Sequence, residues 1–117
     1  MINGINSALS GLLAHNKKTE VTANNVANIN TDDFKKSRAL LQEEVNGEVT
    51  VDIQKIETPG VPVVYTEGQE KTSTETSNVD YAEETVSMIT TSRGFEANLK
   101  VIQTEDEMLG SLLDIIV

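Results

Sequence analysis

The sequence predicts a mainly α protein: two long terminal helices with a small irregular or β segment between them. Apolar residues recur at helical spacing through the first thirty and the last forty of the 117 residues. The residues between lose that period and alternate instead. Aromatics are only 3% of the chain, namely Phe34, Tyr65, Tyr81 and Phe95. Buried bulk must then come from Leu, Ile and Val, which favours elongated helical packing over a thick core. The chain divides into a helix over 1–30, a middle segment over 31–78 and a helix over 79–117, as one structural domain.

In the first helix, Ile2, Ile5, Leu9, Leu12, Asn16, Thr19, Ala23 and Val26 follow one another at alternating steps of three and four. That is one stripe of a helix, close to a coiled-coil seam. It is apolar at its ends and polar at Asn16 and Thr19. Ser7, Gly11 and Ala14 line a second, small-residue face where another backbone can approach closely. A helix over about residues 4–29 spans roughly 39 Å. It runs into TANNVANINTDDFK, residues 22–35. Asparagine is a poor helix former, because its amide competes for nearby backbone groups. Asn24, Asn25, Asn28 and Asn30 are more polar groups than a helix end needs for its own fold.

The middle segment carries Val49, Val51 and Ile53 alternating with polar residues, then VPVVYT after TPG. These read as two short strands around a turn at Thr58–Gly60. Pro62 limits the second to an edge. EGQEKTSTETSN, residues 67–78, has no apolar residue and reads as a flexible linker.

The last helix repeats the stripe through Tyr81, Thr85, Met88, Ser92, Phe95, Leu99, Ile102, Asp106, Leu109, Leu113 and Ile116. Ala82, Val86, Ile89, Val101, Met108, Leu112 and Ile115 run beside it, so the apolar face is wide enough for more than one partner. Asp80 and Glu83 resemble a capping box, and Glu96 with Lys100 forms an i,i+4 pair. Gly94 and Gly110 each cost about 1 kcal/mol relative to Ala in a helix interior. Each is either a tolerated defect or a point of close contact with a neighbour. A helix over about 80–115 spans roughly 54 Å. A lone helix pair cannot cover this much apolar surface, so the unit is one that other chains complete.

The net charge is -10, with +1 in residues 1–30, -5 in 31–78 and -6 in 79–117. This balance argues against nucleic acid and anionic lipid surfaces. No apolar run approaches the roughly 20 residues of a membrane span, and MINGINSALSGLLAHNKK lacks the features of a cleavable secretory signal. Without cysteine there is no disulfide, thiol catalysis or thiolate metal site. His15, the single histidine, reads as a solvated residue on a helix surface. Glu83–Glu84 and Glu105–Asp106–Glu107 read as solvated faces, since adjacent carboxylates on a helix diverge. No phosphate-binding glycine loop is present. Neither an enzyme nor a cofactor site is expected.

SALSGLLAHNKKTEVTANNVANINTDDFKKSR resembles the N-terminal signature of flagellar axial proteins, the rod, hook and hook-associated subunits. NVDYAEETVSMITTSRGFEANLKVIQTEDEMLGSLLDI resembles their C-terminal signature. The resemblance implies that the terminal helices pair as an antiparallel coiled coil and pack side by side into a helical tube. It implies a torque-transmitting structural subunit of the periplasmic rod in the flagellar basal body, partnered by other rod subunits. It also implies uncleaved export through the flagellar type III export apparatus, without enzymatic activity or membrane insertion. The short middle segment points to a proximal-rod type. Where the family commonly has Gly before the aromatic of the first motif, this chain has Asp33 before Phe34; Asp tolerates a left-handed turn. A rival reading is a soluble adaptor that uses the axial helices to bind one flagellar partner.

In the axial reading, the residues expected at contacts between subunits are Leu9, Leu12, Asn24, Asn25, Val26, Asn28, Phe34, Phe95, Asn98, Leu99, Ile102 and Leu109. Asn24 and Asn25 are read as bonding across subunits, where polar groups in a seam fix register. Asn30 is read as a helix-end residue.

Overall fold

The computed structural model describes residues 2–67 and 70–116 of the chain. Helix α1 runs Ile2–Ala27 and helix α2 runs Tyr81–Ile116. Between them lie strands β1 (Ser37–Glu43), β2 (Val49–Lys55), β3 (Pro62–Glu67) and β4 (Glu70–Glu75). The molecule measures 85 × 24 × 16 Å, with a radius of gyration of 21.1 Å. A compact domain of this length would have a radius near 13 Å, so the shape is a rod.

The helices pair antiparallel in a single straight register. Gly4 stands opposite Glu105, Gly11 opposite Asn98 and Gly94 opposite His15. At the far end Asn25 meets Glu84. Partner numbers fall along α2 as fast as they rise along α1. The seam is therefore built from small and polar residues, not from the heptad stripe. Among the described residues, the buried apolar side chains are Ala8, Ala14 and Ala39, and the buried polar ones are Thr22, Asn25, Lys36, Glu84 and Thr91. The small-residue face that Gly11 and Ala14 mark in the sequence is the one that closes the pair. Leu9, Phe95, Leu99 and Leu109 of the apolar stripes remain exposed, as does Leu13. Glycine and alanine let the two backbones approach, and bulkier leucines are thereby kept to the outside.

The middle segment differs from the expectation. The two foreseen strands do not pair with each other around Thr58–Gly60. Val49–Lys55 pairs antiparallel with Ser37–Glu43, and Pro62–Glu67 pairs antiparallel with Glu70–Glu75. The stretch read as a linker over 67–78 thus contains strand β4. Its Thr-rich polar residues suit a strand whose partner is also solvated. The first hairpin turns at Asn46–Gly47, where Gly47 takes φ +75°. The Gly47 N–H returns to the Glu44 carbonyl at 2.8 Å, and glycine suits the left-handed position that closes such a three-residue loop. The hairpin lies back along α1: the Ser7 hydroxyl donates to the Gly47 carbonyl, and the Val49 N–H donates to the Ser10 hydroxyl at 3.0 Å.

Asp80 caps α2, accepting from the N–H groups of Ala82 (2.8 Å) and Glu83 (3.3 Å). The reciprocal half of the capping box is not made, because Glu83 instead binds Lys36 and Arg38. Glu96 likewise pairs with Arg93, not with Lys100. The expectation of a solvated His15 is also corrected. Its ring packs over Gly94, and burial, with the charge of Lys18 adding to it, lowers its pKa. Gly94 is thus a close-contact glycine, whereas a Cβ at Gly110 would meet open space.

Candidate assembly surface

The end of α1, the loop that follows it and the start of α2 converge on one hydrogen-bonded junction. Asn25 sits at its centre and is 1% exposed. Its amide nitrogen donates to the Ser37 carbonyl at 2.7 Å and to Glu84 Oε1 at 3.1 Å. Its amide oxygen accepts from the Ser37 N–H at 3.0 Å. The side chain therefore acts as one more peptide group at the head of β1, while its second N–H ties β1 to α2. The expected contact of Asn25 with another subunit is corrected: both ends of its amide are used inside the chain.

Asn78 is a second node, which the sequence reading passed over as linker. Its Oδ1 accepts from the Lys36 N–H at 2.7 Å, and its Nδ2 donates to the carbonyls of Ile56 (2.8 Å) and Thr58 (2.9 Å). It lies in the NVD run of the second motif, and that position was the available signal. Asp33 adopts φ +59°, so the left-handed turn survives without glycine. Its carboxylate accepts from the Thr74 hydroxyl at 2.7 Å and the Glu75 N–H at 3.1 Å. Those two bonds hold its pKa below the usual aspartate value. The turn residue thereby fastens β4 to the end of the first motif.

Charges at the junction are split by environment. Burial pushes the Glu84 carboxyl up, against the Asn25 bond and the Lys36 charge. The bond from Lys36 holds Glu83 down, aided by Lys36 and Arg38 charges and opposed by partial burial. One carboxylate is thus a buried group with a raised pKa, and its neighbour is an ion-pair partner.

The twelve residues expected at assembly contacts are not gathered into one patch. Asn25 is internal. Asn28 closes the helix end, donating to the Asn24 carbonyl at 2.9 Å and accepting from the Thr31 hydroxyl at 3.2 Å. Asn98 faces Gly11 in the seam. Asn24 is exposed, as are Leu9, Phe95, Leu99 and Leu109, while Leu12, Val26, Phe34 and Ile102 are half-buried. The apolar members are strung along the outside of the helix pair. Among the described residues, twenty large apolar side chains are exposed, from Leu9 to Ile115. That outer surface, not a cleft, is the candidate site. No helix among the described residues is long and apolar enough to cross a membrane.

A profile described as the flagella basal body rod protein matches residues 5–35, and one described as the flagellar basal body rod FlgEFG protein C-terminal region matches residues 71–115. The chain belongs to the flagellar basal-body rod protein family. It is 28% identical to the flagellar basal-body rod protein FlgC of Borreliella burgdorferi, over 99% of this chain and 97% of that protein. It is 43% identical over 65 residues to the FlgG rod protein of Buchnera aphidicola from Acyrthosiphon pisum, covering half of this chain and 25% of that protein. Over 38 residues it is 58% identical to the FlgG of the Schizaphis graminum strain, covering 15% of that protein. The chain thus spans nearly all of the FlgC relative but a quarter or less of these FlgG relatives. Both family profiles fall on the helices and the junction that joins them. The rod family is a structural one and belongs to the flagellum.

Proposed function

We propose that this chain is a structural subunit of the flagellar basal-body rod, assembling with other rod subunits through its terminal helices into a torque-carrying helical tube. In this reading it is exported uncleaved through the flagellar type III apparatus to the periplasmic rod, and it performs no catalysis. One observation carries the proposal: among the described residues, the buried side chains are three alanines and five polar groups, while twenty large apolar side chains are exposed. Burial of apolar surface contributes about 25 cal/mol per Å², and here most of that stabilisation awaits neighbours. Mechanical stiffness would follow from the continuous antiparallel pair, whose seam glycines hold the backbones together. Assembly contacts are proposed at Leu9, Leu12, Asn24, Val26, Phe34, Phe95, Leu99, Ile102 and Leu109, with Asn25, Asn28 and Asn98 positioning those elements from within the chain.

The test is electron microscopy of basal bodies from cells lacking the gene and from cells making Leu9→Asp with Leu113→Asp. Both side chains are exposed, so the variant chain should fold. Rods should be missing or stop short in both strains. Complete rods without this chain would overturn the proposal.

A further inference from the structure

We propose that β3 and β4 form an arm that swings as a unit against the helix pair and is latched at its foot by the Asp33 carboxylate. Among the described residues, β1 and β2 both lie against α1, while β3 and β4 touch each other and no further helix or strand. Packing against another element therefore does not fix the angle of the second hairpin. Val64 and Tyr65 of β3 are 58% and 52% exposed, so the latch decides where that apolar surface is presented.

The hold on the arm is polar and converges on Glu75, the last residue of β4. The Asp33 N–H donates to the Glu75 carbonyl at 2.8 Å, and the Glu75 N–H donates to Asp33 Oδ1 at 3.1 Å. The Thr74 hydroxyl donates to Asp33 Oδ2 at 2.7 Å. Lys35 Nζ pairs with Glu75 Oε1 at 2.5 Å. On the β3 side the charge of Asp32 acts on the Tyr65 hydroxyl and raises its pKa. Just beyond the arm the chain is anchored separately. Asn78 binds the carbonyls of Ile56 and Thr58, and its N–H donates to the Phe34 carbonyl at 3.3 Å. Pro59 and Ser77 lie between these anchors and the arm, and they take up the swing. Exposed hydrogen bonds without apolar packing mark the segments of a fold that open first.

The backbone of Asp33 makes the latch separable from the turn. At φ +59° a side chain costs conformational energy that glycine avoids. The carboxylate is what glycine could not supply. Asp33→Gly should therefore keep the turn and release the arm.

The test uses the whole chain, which has no native cysteine. Val64→Cys on the arm and Val86→Cys on α2, both exposed positions, carry a pair of spin labels. Pulsed electron resonance should give one narrow distance peak in the otherwise unchanged chain. Asp33→Gly should lose that peak to a broad distribution, while the helices melt no lower by circular dichroism. Thr74→Val removes one of the carboxylate bonds and leaves the turn alone, so it should broaden the distribution too.

A peak that stays narrow in Asp33→Gly would overturn the proposal, and so would a distribution already broad before any substitution at Asp33. Broadening by Asp33→Gly but not by Thr74→Val would also overturn it, because the freedom would then come from a glycine turn and not from a lost carboxylate. A drop in helix melting with Asp33→Gly would do the same, since Asp33 would then support the whole fold. None of these outcomes bears on the rod-subunit reading, which fails separately if rods complete without the gene.

Discussion

Asn25 donates its amide to Glu84 at 3.1 Å across the seam between two helices whose residues lie 59 positions apart. The same side chain holds the backbone of Ser37 through two further bonds. One amide therefore joins α1, β1 and α2.

Asn25→Ala should destabilise the free chain by about 1–3 kcal/mol, because buried donors and acceptors at Ser37 and Glu84 lose their partner. Asn24→Ala, one residue away but exposed, should change stability by no more than about 0.5 kcal/mol. Urea unfolding followed by circular dichroism measures both. Equal effects of the two substitutions would remove Asn25 from the centre of the junction.

Glu84→Gln should stabilise the free chain at neutral pH. Burial raises the Glu84 pKa. The stability linked to a raised carboxyl is full below the unfolded value and is lost as pH rises through the folded one. Glutamine keeps an acceptor for Asn25 and removes the buried charge. The gap in unfolding temperature between variant and parent should be widest near neutral pH. It should shrink as the pH approaches about 4, where free glutamate protonates. A variant melting below the parent at neutral pH would mean that attraction to Lys36 and Arg38 outweighs burial.

The two glycines of α2 should separate. Gly110→Ala, with open space at its Cβ, should stabilise the helix by about 1 kcal/mol. Gly94→Ala places a methyl group against the His15 ring and should give no gain or a loss. Thermal melts of the two variants compare them directly. A gain at Gly94 equal to that at Gly110 would show that the seam is looser than its glycines require.

Phe95 is 40% exposed in the free chain. Phe95→Ala should therefore cost the free chain well under the about 3–5 kcal/mol typical of a buried phenylalanine. In the assembled rod the loss should be larger, if neighbours cover the ring. Melts of the free chain and the heat resistance of isolated rods give the two values. A full core-sized loss in the free chain would place the ring inside the subunit.

Two long helices and a small β segment were legible in the sequence because heptad spacing and period-two alternation are local signals. The two motifs also identified the family, and Asp33 was a suitable left-handed residue on its own chemistry. Which strands pair was not legible. Val49–Lys55 and Pro62–Glu67 each had a better partner in Ser37–Glu43 and Glu70–Glu75, and polar strands such as β4 carry a weak hydrophobic pattern. Only the tertiary structure decided which helix face is inside. A stripe of Leu and Ile marks a surface that seeks burial, but it does not say whether the cover comes from the same chain. Close approach of the two backbones requires Gly4, Gly11 and Gly94 between them, and that steric requirement turns the apolar stripes outward. The same approach draws Asn25 and Glu84 into the seam, where their paired burial, invisible to periodicity, closes the subunit.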